Sequence, residues 1–441
     1  MQVTAHAERD RLRPPAPVVE LAATLQQAGF EAWCVGGAVR DALLGHAHLD
    51  WDLATSATPR QVQRLFRRTV PVGIEFGTVG VMDRDGRMHE VTTFRRDVHT
   101  DGRHAVVEFG VSLNDDLARR DFTINAIAWD PIAETLHDPF GGRDDLSRGV
   151  VRAVGTASER LTEDRLRALR AIRFASRFGF ALDDATWQAV VESAPHLGRL
   201  SPERVKQELE KTMEQVDRPS LALQRWRDAG AFAVLIPALA SVSNAQTEVV
   251  DRLPKPGLPT RPLRKALRLA ALFAGLDGKR AEQALRALRF SNLDISTVGA
   301  LVDRWHREGP SLTGQLVAAA RPDDASLRRL AARVGRLRMA AFMRLAAAHW
   351  AVRDEVSPAA WRALHRRVLR IAFRDAIEVG DLAIDGDDLR RLGVKPGPLL
   401  GQLLHEMLEA VLVDPARNTV SELSAMARAR LDAGPSPAGG T

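Results

Sequence analysis

The chain has 441 residues, 45% of them hydrophobic and 27% charged, with a formal net charge of +6 and a sequence pI of about 10.1. Such a length exceeds one ordinary core and implies roughly two to four domains or sub-domains, and the composition is that of a globular chain. The basic balance permits a phosphate-rich partner such as nucleic acid without demanding one, because richness in Arg and Ala with no Tyr also reflects nucleotide composition. A single cysteine, Cys34, excludes an intramolecular disulfide and any site built from several thiolates. The opening stretch "MQVTAHAERDRLRPPAPVVELAATLQQAGF" has no apolar core of signal-peptide type, and no run of about eighteen apolar residues occurs. No membrane association is expected, and a cytoplasmic location is.

In chain order, residues from about Pro17 to Gly29 have the spacing of an amphipathic helix. Short strand-like runs follow: "EAWCVGG", "LDWDLAT", "TVGVMD", "MHEVTTF", "AVVEFGV" and "AIAWD", interrupted by helical "VRDALLG" and "PRQVQRLFRR". Strands mixed with helices as far as about Arg148 predict a domain built on one sheet. After Val150 nearly every segment has helical spacing. "LSPERVKQELEKTM" offers Ser201 as N-cap, Pro202 at the first helical position and Glu203 at the positive end of the helix. "DRLPKPGLPTRP" (Asp251–Pro262) reads as a loop and "AGPSPAGGT" at the end as disordered. The expected fold class is α+β, a mixed head followed by a long all-helical arm.

Chemistry concentrates in "CVGGAVRDALLGHAHLDWDLATSATP". In a strand, residues i and i+2 share a face, so Asp50 and Asp52 lie together with Leu49, Trp51 and Leu53 opposite. Two hard-oxygen donors so placed suit Mg²⁺; a solvated strand face is the other reading. The Gly-Gly pair at Gly36 and Gly37 leaves a strand and opens a helix, exposing backbone N–H groups to phosphate oxygens, and Arg40 is placed to fork onto a phosphate. Together these residues predict a triphosphate cradle beside a metal site.

The blocks "GGAVRDALLG…LDWDLAT", "EVTTFRRD", "DLARRDFTINAIAWDP", "DPFGGRDDL" and "RLTEDRLRALRAIRF" resemble, in order and spacing from residue 34 to about 215, the class II tRNA nucleotidyltransferases, that is the CCA-adding enzymes and their bacterial poly(A) polymerase relatives. The likeness continues more loosely in "LRFSNLDI" and "LAIDGDDLRRLGVKPGPLLGQLLHEMLEAVL". It implies a polymerase-β-like nucleotidyltransferase head over residues 1–148, a helical neck over 149–215 carrying a nucleotide-selecting helix, a helical body over 216–300 and a helical, RNA-binding tail over 301–441.

By this resemblance Asp50 and Asp52 coordinate Mg²⁺ and activate the tRNA 3′-hydroxyl toward the α-phosphate of CTP or ATP, releasing pyrophosphate. Glu90 is a candidate third carboxylate or an ordinary exposed strand residue. Within "RRDFTINA", Arg120 contacts the nucleotide and Asp121 or Asn125 orients the sugar or neighbouring side chains; a buried arginine–aspartate pair that fixes the head is the equal alternative. In "EDRLRALRAIR", Asp164, Arg167, Arg170 and Arg173 recur every third residue and, on a helix, form a slowly drifting line. Cytosine and adenine both present an exocyclic amino donor beside a ring-nitrogen acceptor, whereas uracil and guanine present the reverse. Asp164 and Arg167 side by side therefore accept C and A and reject U and G, with the protein as template. Arg170 and Arg173 face the phosphates or hold that template in place. Gly141-Gly142 is either a head–neck hinge or a simple turn, and His137-Asp138 alone is a weak metal-hydrolase signal. In the tail, Leu400, Leu403, Leu404, Met407, Leu408, Val411 and Leu412 fit a packed helix face, and Lys395 stands near that helix's start as a candidate RNA-phosphate contact.

One stretch departs from the family pattern. In "FRRDVHTDGRHAVVEFG", His99-Thr100 and His104-Ala105 stand where most relatives have a tyrosine before and a proline after the Asp-Gly-Arg. Its full length weighs against a CC-only enzyme. The leading expectation is addition of CCA to tRNA 3′ ends; an A-adding specialist or poly(A) polymerase is the alternative, and a non-catalytic RNA-binding protein the more distant one.

Overall fold

A computed structural model describes residues 11–46, 50–100, 105–254, 262–318 and 320–432. The chain folds as two compact units, Met1–Ser241 and Val242–Thr441. The first contains strands β1 (Ala32–Val35), β2 (Asp52–Thr55), β3 (Thr69–Gly73), β4 (Thr78–Met82), β5 (Met88–Thr93), β6 (Arg95–Thr100), β7 (Ala105–Phe109), β8 (Ala128–Asp130) and β9 (Thr135–His137). Its main helices are α1 (Ala16–Gln27), α2 (Gly37–Leu43), α3 (Pro59–Leu65), α4 (Leu113–Ala118), α5 (Gly142–Arg148), α6 (Ala157–Glu163), α7 (Leu166–Phe178), α8 (Asp184–Ser193) and α9 (Pro202–Gln215).

Seven strands form one mixed sheet in the order β3-β4-β5-β2-β1-β8-β9. The β2–β5 pair is parallel and the other pairs are antiparallel, while β6 and β7 make a separate hairpin. Val35 and Ala54 pack with Phe94, Leu113, Leu117, Ala126, Ala128 and Val154. Ala54 lies two residues after Asp52 and so shares its face. The face is thus sealed at Ala54, while Asp52 remains only half-buried.

The six expected strand runs are all present; β3, β6 and β9 are additional, as is a short parallel pair, Val150–Val151 with Ala181–Leu182. β3 carries Pro71 and is one of the two edge strands of the sheet, with Val70 and Val72 exposed. An edge position tolerates a residue without an N–H, so the local pattern does not read as a strand. The spacing also extends β2 back to Asp50, whereas the strand begins at Asp52.

The predicted line through Asp164 is corrected. Asp164 has φ −146° and ψ 103° and terminates α6, and α7 begins at Leu166. The backbone N–H of Leu166 donates to its carboxylate at 3.1 Å, a local bond that competes with helix continuation. Arg167, Arg170 and Arg173 do share α7.

The second unit is helical throughout its described residues. Leu327, Phe342, Met343, Trp350, Val368 and Ile371 form part of one core. Leu389, Leu403, Met407, Val411 and Leu423 form part of another, with Leu400 and Leu404 packed against it. The helix Pro398–Val413 thus buries the apolar face expected of it. No described helix is long and apolar enough to cross a membrane. The expected loop centre, residues 255–261, and the expected disordered end, 433–441, lie outside the described residues, as do Leu49 and the tip of the β6–β7 hairpin.

At the Gly141-Gly142 turn, Gly141 has φ 70°, and a Cβ on Gly142 would overlap the backbone carbonyl of Thr123 and come within 2.8 Å of Ile127 Cγ1. That close approach packs α5 against the Thr123–Asn125 turn and gives Gly142 a packing role. Gly142→Ala is expected to destabilise the first unit by about 1–3 kcal/mol, measured as a lower melting temperature. An unchanged melting temperature with altered turnover would indicate a hinge instead.

Candidate active site

β1 ends at Val35, which pairs with Asp52 at the start of β2. The next residue, Gly36, has φ 74° and ψ −132°, and a Cβ there would sit 2.9 Å from Arg120 Nη1. Only glycine meets both conditions without strain. The glycine turn therefore emerges directly beside Asp52. On the other side of β2, the parallel register pairs Leu53 with Val91, which makes Glu90 the lateral neighbour of Asp52. Trp51 and Leu53 are buried while Asp50 is exposed and Asp52 half-buried, so the alternation read from the sequence survives although the strand is shorter.

Burial, followed by the charges of Glu90 and Asp50, pushes the Asp52 carboxyl up from 3.8 to about 6, against the opposing pull of Arg120 and His89. Crowded carboxylates of this kind call for a cation. Among the described residues no three His, Cys, Asp or Glu side chains form a group able to hold a metal ion by themselves. The donor set still fits Mg²⁺, which uses one or two carboxylates and completes its shell with water and substrate phosphate.

A cleft of about 480 Å³ opens on the β1 side of Asp52, with eight cationic side chains against two carboxylates, Asp121 and Asp164, in its lining. Gly36, Gly37, Arg40 and Arg120 line one part of it and Asp164, Arg167, Arg170 and Arg173 another. The cleft thus gathers ten of the residues singled out in the sequence, Asp121 and Asn125 among them; Asp50 and Asp52 stand outside its lining, beside the glycine turn.

Several of these side chains are held by partners. Arg40 is buried; its Nη2 lies 2.7 Å from Asp41, its Nη1 donates to Asn125 Oδ1, and its guanidinium lies 5.0 Å from the Phe174 ring and 4.8 Å from that of Phe178. Arg120 donates to Asp116 at 3.0 Å and Arg119 to the same carboxylate at 2.8 Å. Burial works against ionised Asp116, yet these two arginines hold it below the usual range. Burial likewise raises Asp121, but Arg170, at 2.7 Å, and Asn125, at 2.8 Å, hold it at about 2. Arg173 forms a buried pair with Glu208 at 2.7 Å.

The two base-reading candidates are also fixed. Asp164 pairs with Arg204 at 2.7 Å. Arg167 donates to Glu163 at 2.6 Å and to the carbonyls of Arg160 at 2.8 Å and Arg119 at 3.0 Å. Arg204 was missed by the sequence reading. It sits on α9 in "SPERVKQELEKTM", where a helix-start pattern gives no sign of a partner forty residues away.

Other expectations resolve simply. His137 bonds Asn114 at 2.6 Å, and Asp138 accepts from the N–H groups of Gly142 at 2.8 Å and Arg143 at 2.9 Å, so each member of that pair has its own structural partner. Cys34 is buried in β1; burial, with Asp130 and Asp52 nearby, pushes its thiol far up, which leaves it unreactive.

Because the folded Asp52 carboxyl titrates above its unfolded value, its contribution favours folding below about pH 4 and is lost as pH rises through about 6. In metal-free protein, Asp52→Asn is expected to raise stability at pH 7.5 by about 1–2 kcal/mol, allowing for partial exposure. The gain should vanish near pH 4, read by thermal melts at the two pH values; a loss of stability at pH 7.5 would contradict this account.

Comparison with known proteins gives the same reading at the level of family. Residues 32–152 match the poly A polymerase head domain, residues 179–242 the family described as "Probable RNA and SrmB- binding site of polymerase A", and residues 264–427 the tRNA nucleotidyltransferase domain 2. The chain is 37% identical over 398 residues to the CCA-adding enzyme of Geobacillus kaustophilus, covering 89% of this chain and 92% of the relative. It is 34% identical over 414 residues to that of Lactobacillus delbrueckii subsp. bulgaricus, covering 92% and 95%. The crystal structure of the Bacillus stearothermophilus CCA-adding enzyme in complex with CTP superposes with a TM-score of 0.72 at 33% identity, over 95% of this chain and 97% of that one. With a relative this similar along nearly its whole length, and with the glycine turn and the carboxylates on one sheet beside the cationic cleft, the chain belongs to the class II CCA-adding enzyme family and is a nucleotidyltransferase.

Proposed function

We propose that this enzyme builds the 3′-terminal CCA of tRNA in the cytoplasm, taking CTP and ATP in turn, releasing pyrophosphate and using no nucleic-acid template. The observation that carries this reading is one cleft in which the glycine turn of α2 and the Asp164/Arg167 pair stand together, beside the crowded carboxylate Asp52. CCA rather than A alone is supported by the name shared by relatives that match about nine tenths of the chain.

In this reading the backbone N–H groups at Gly36 and Gly37 and the cation Arg120 receive the triphosphate, with Arg40 adding charge to the wall while its bonds fix α2. Asp50 and Asp52 hold Mg²⁺, with Glu90 as a third carboxylate beside them. What Mg²⁺ supplies when bound is Lewis acidity toward the RNA 3′-hydroxyl and the α-phosphate. The 3′-oxygen forms a bond to the α-phosphorus as the opposite bond, from the α-phosphorus to the α–β bridging oxygen, breaks; that oxygen leaves with the electron pair as part of pyrophosphate, and the 3′-hydroxyl proton passes to solvent. Asp164 accepts from the exocyclic amino group of C or A. Arg167 donates to the adjacent ring nitrogen with an N–H left over among the described residues, since its bonds to Arg160, Glu163 and Arg119 occupy three of its five donors. Arg170 and Arg173, tied to Asp121 and Glu208, hold α7 in place.

The purified chain, given Mg²⁺ and tRNA transcripts ending at the discriminator base, the first C or the second C, is expected to incorporate C, C and A respectively from labelled nucleotides. Incorporation of A alone, on the third transcript only, would select the A-adding reading. No incorporation, with RNA still bound, would leave a binding protein.

Asp52→Asn should abolish incorporation while retaining tRNA. Asp164→Ala should admit U or G, with correct-over-incorrect selectivity falling by roughly tenfold or more. Arg204→Ala should move in the same direction by less. Unchanged fidelity in Asp164→Ala would remove it from base reading.

A further inference from the structure

The sheet is asymmetric about Asp52. On the β1 side lies the cationic cleft. On the other side the register runs Asp52 beside Glu90, Glu90 opposite Gly80 and Gly80 opposite Val70, so these four positions form one row on one face of the sheet. Met88 lies two residues before Glu90 on β5 and shares that face. A Cβ on Gly80 would lie 2.7 Å from Met88 Sδ and 2.9 Å from Val72 Cγ2, so these two apolar side chains meet across β4 only because position 80 is glycine. Val70, Val72 and Met88 are nevertheless 41%, 42% and 43% exposed. Exposed Ile74 and Phe76 extend the strip along the same edge, and the Arg95 guanidinium stands 6.0 Å from the Phe76 ring. Strand spacing puts Gly80 and Val70 about 10–14 Å from Asp52.

In-line displacement places the entering and leaving oxygens on opposite sides of the α-phosphorus. If the triphosphate tail lies toward Gly36, Gly37 and the cations, the RNA 3′-oxygen approaches from the β5 side. The nucleotides just behind that terminus then pass over Gly80, Val72 and Met88. We propose that this strip is a stacking seat for the penultimate base of the RNA 3′ end. It is sequence-tolerant because every base has an apolar face, and the Met88 thioether is a favourable partner for an aromatic ring. A second copy of the chain adding a strand is disfavoured: Pro71 offers no N–H, and the register shifts between Pro71 and Gly73.

This inference rests on the proposed activity, and its test separates the two. Steady-state addition of A is measured on tRNA ending in the second C, with an intact or an abasic nucleotide at the penultimate position, using wild type, the double variant Val72→Ser/Met88→Ser and the control Met88→Leu. The KM for RNA is expected to rise roughly five- to twentyfold in the double variant, with the KM for ATP changed less than twofold. The abasic primer should weaken wild type by a similar factor and the double variant no further, and Met88→Leu should resemble wild type.

An unchanged RNA KM, an equal rise in both KM values, or loss of a dimer without change in RNA KM would overturn the proposal. Should the double variant fail to fold, Met88→Ser alone and the abasic primer on wild type decide: no effect in either overturns it. An inactive wild type would defeat the function proposed above, whereas an active wild type with indifferent variants defeats only the stacking seat.

Discussion

The buried guanidinium of Arg40 is the constraint on which the site geometry depends. It lies three residues beyond Gly37, and its own charge is met by Asp41 at 2.7 Å and by Asn125. Its faces lie 4.8–5.0 Å from the rings of Phe178 and Phe174. Removing a guanidinium from water costs several kcal/mol unless ion-pair, hydrogen-bond and ring contacts offset it together. The position of α2 is therefore set by α7, which carries both phenylalanines. A second tie between the same helices, Arg177 to Asp41 at 3.2 Å, acts in the same sense. The element that starts the glycine turn and the element that carries Arg167 are thus locked as one frame.

Around that frame, two acidic side chains titrate in opposite directions. Asp121 is held at about 2, and so is ionised at neutral pH, because Arg170 and Asn125 overcome its burial. Asp52 rises to about 6 because burial and its acidic neighbours outweigh Arg120 and His89. The first pattern is that of a finished structural pair and the second that of a site still short of positive charge. The arginines of α7 divide in the same way. Arg173 and Arg170 are committed to Glu208 and Asp121, whereas Arg167 is anchored on one side and retains donors on the other. A helix that looks like a uniform basic stripe in sequence is mostly scaffold, and Arg167 is the member left for the base reading proposed above.

Much of this was legible in the sequence because it is local. The alternation through Trp51, Asp52 and Leu53, the Gly36-Gly37 turn and the helical spacing after Val150 are all written within a few residues, and each element is present. The order of short blocks sufficed to place the family. What was not legible is whatever depends on partners far along the chain. Asp164 looked helical because the stripe is periodic, yet its own bond to the Leu166 N–H breaks the helix there. Arg204 is forty positions away from the carboxylate it holds. β3 was unread because Pro71 and exposed valines are tolerated only on an edge, and edge status is a property of the sheet. Arg40 was read as a phosphate ligand from spacing alone; the two rings beneath it belong to a helix more than a hundred residues later.

In the function proposed above the protein acts as its own template, and so faces a demand that a nucleic-acid template does not. The two bases it accepts differ in size but share the donor–acceptor order of one edge, so the reading groups must stay fixed while the space behind them accommodates either ring. Asp164 meets the first requirement: its oxygens are held by the Leu166 N–H and by Arg204, and a carbonyl presented by U or G would face a carboxylate that cannot donate, leaving both groups unpaired. In that reading its place outside both helices serves the same end, because a residue between α6 and α7 takes its orientation from those bonds and not from helical geometry. The second requirement falls to the cleft, whose volume of about 480 Å³ is lined chiefly by long arginine side chains. In the proposed reading the room for either ring is the open volume of the cleft itself, because its wall is as firmly paired as the reading edge: Arg40 to Asp41, Arg170 to Asp121 and Arg173 to Glu208. In the proposed scheme selectivity is thereby separated from fit: the Asp164/Arg167 edge would choose the base, and the cleft volume would admit either ring.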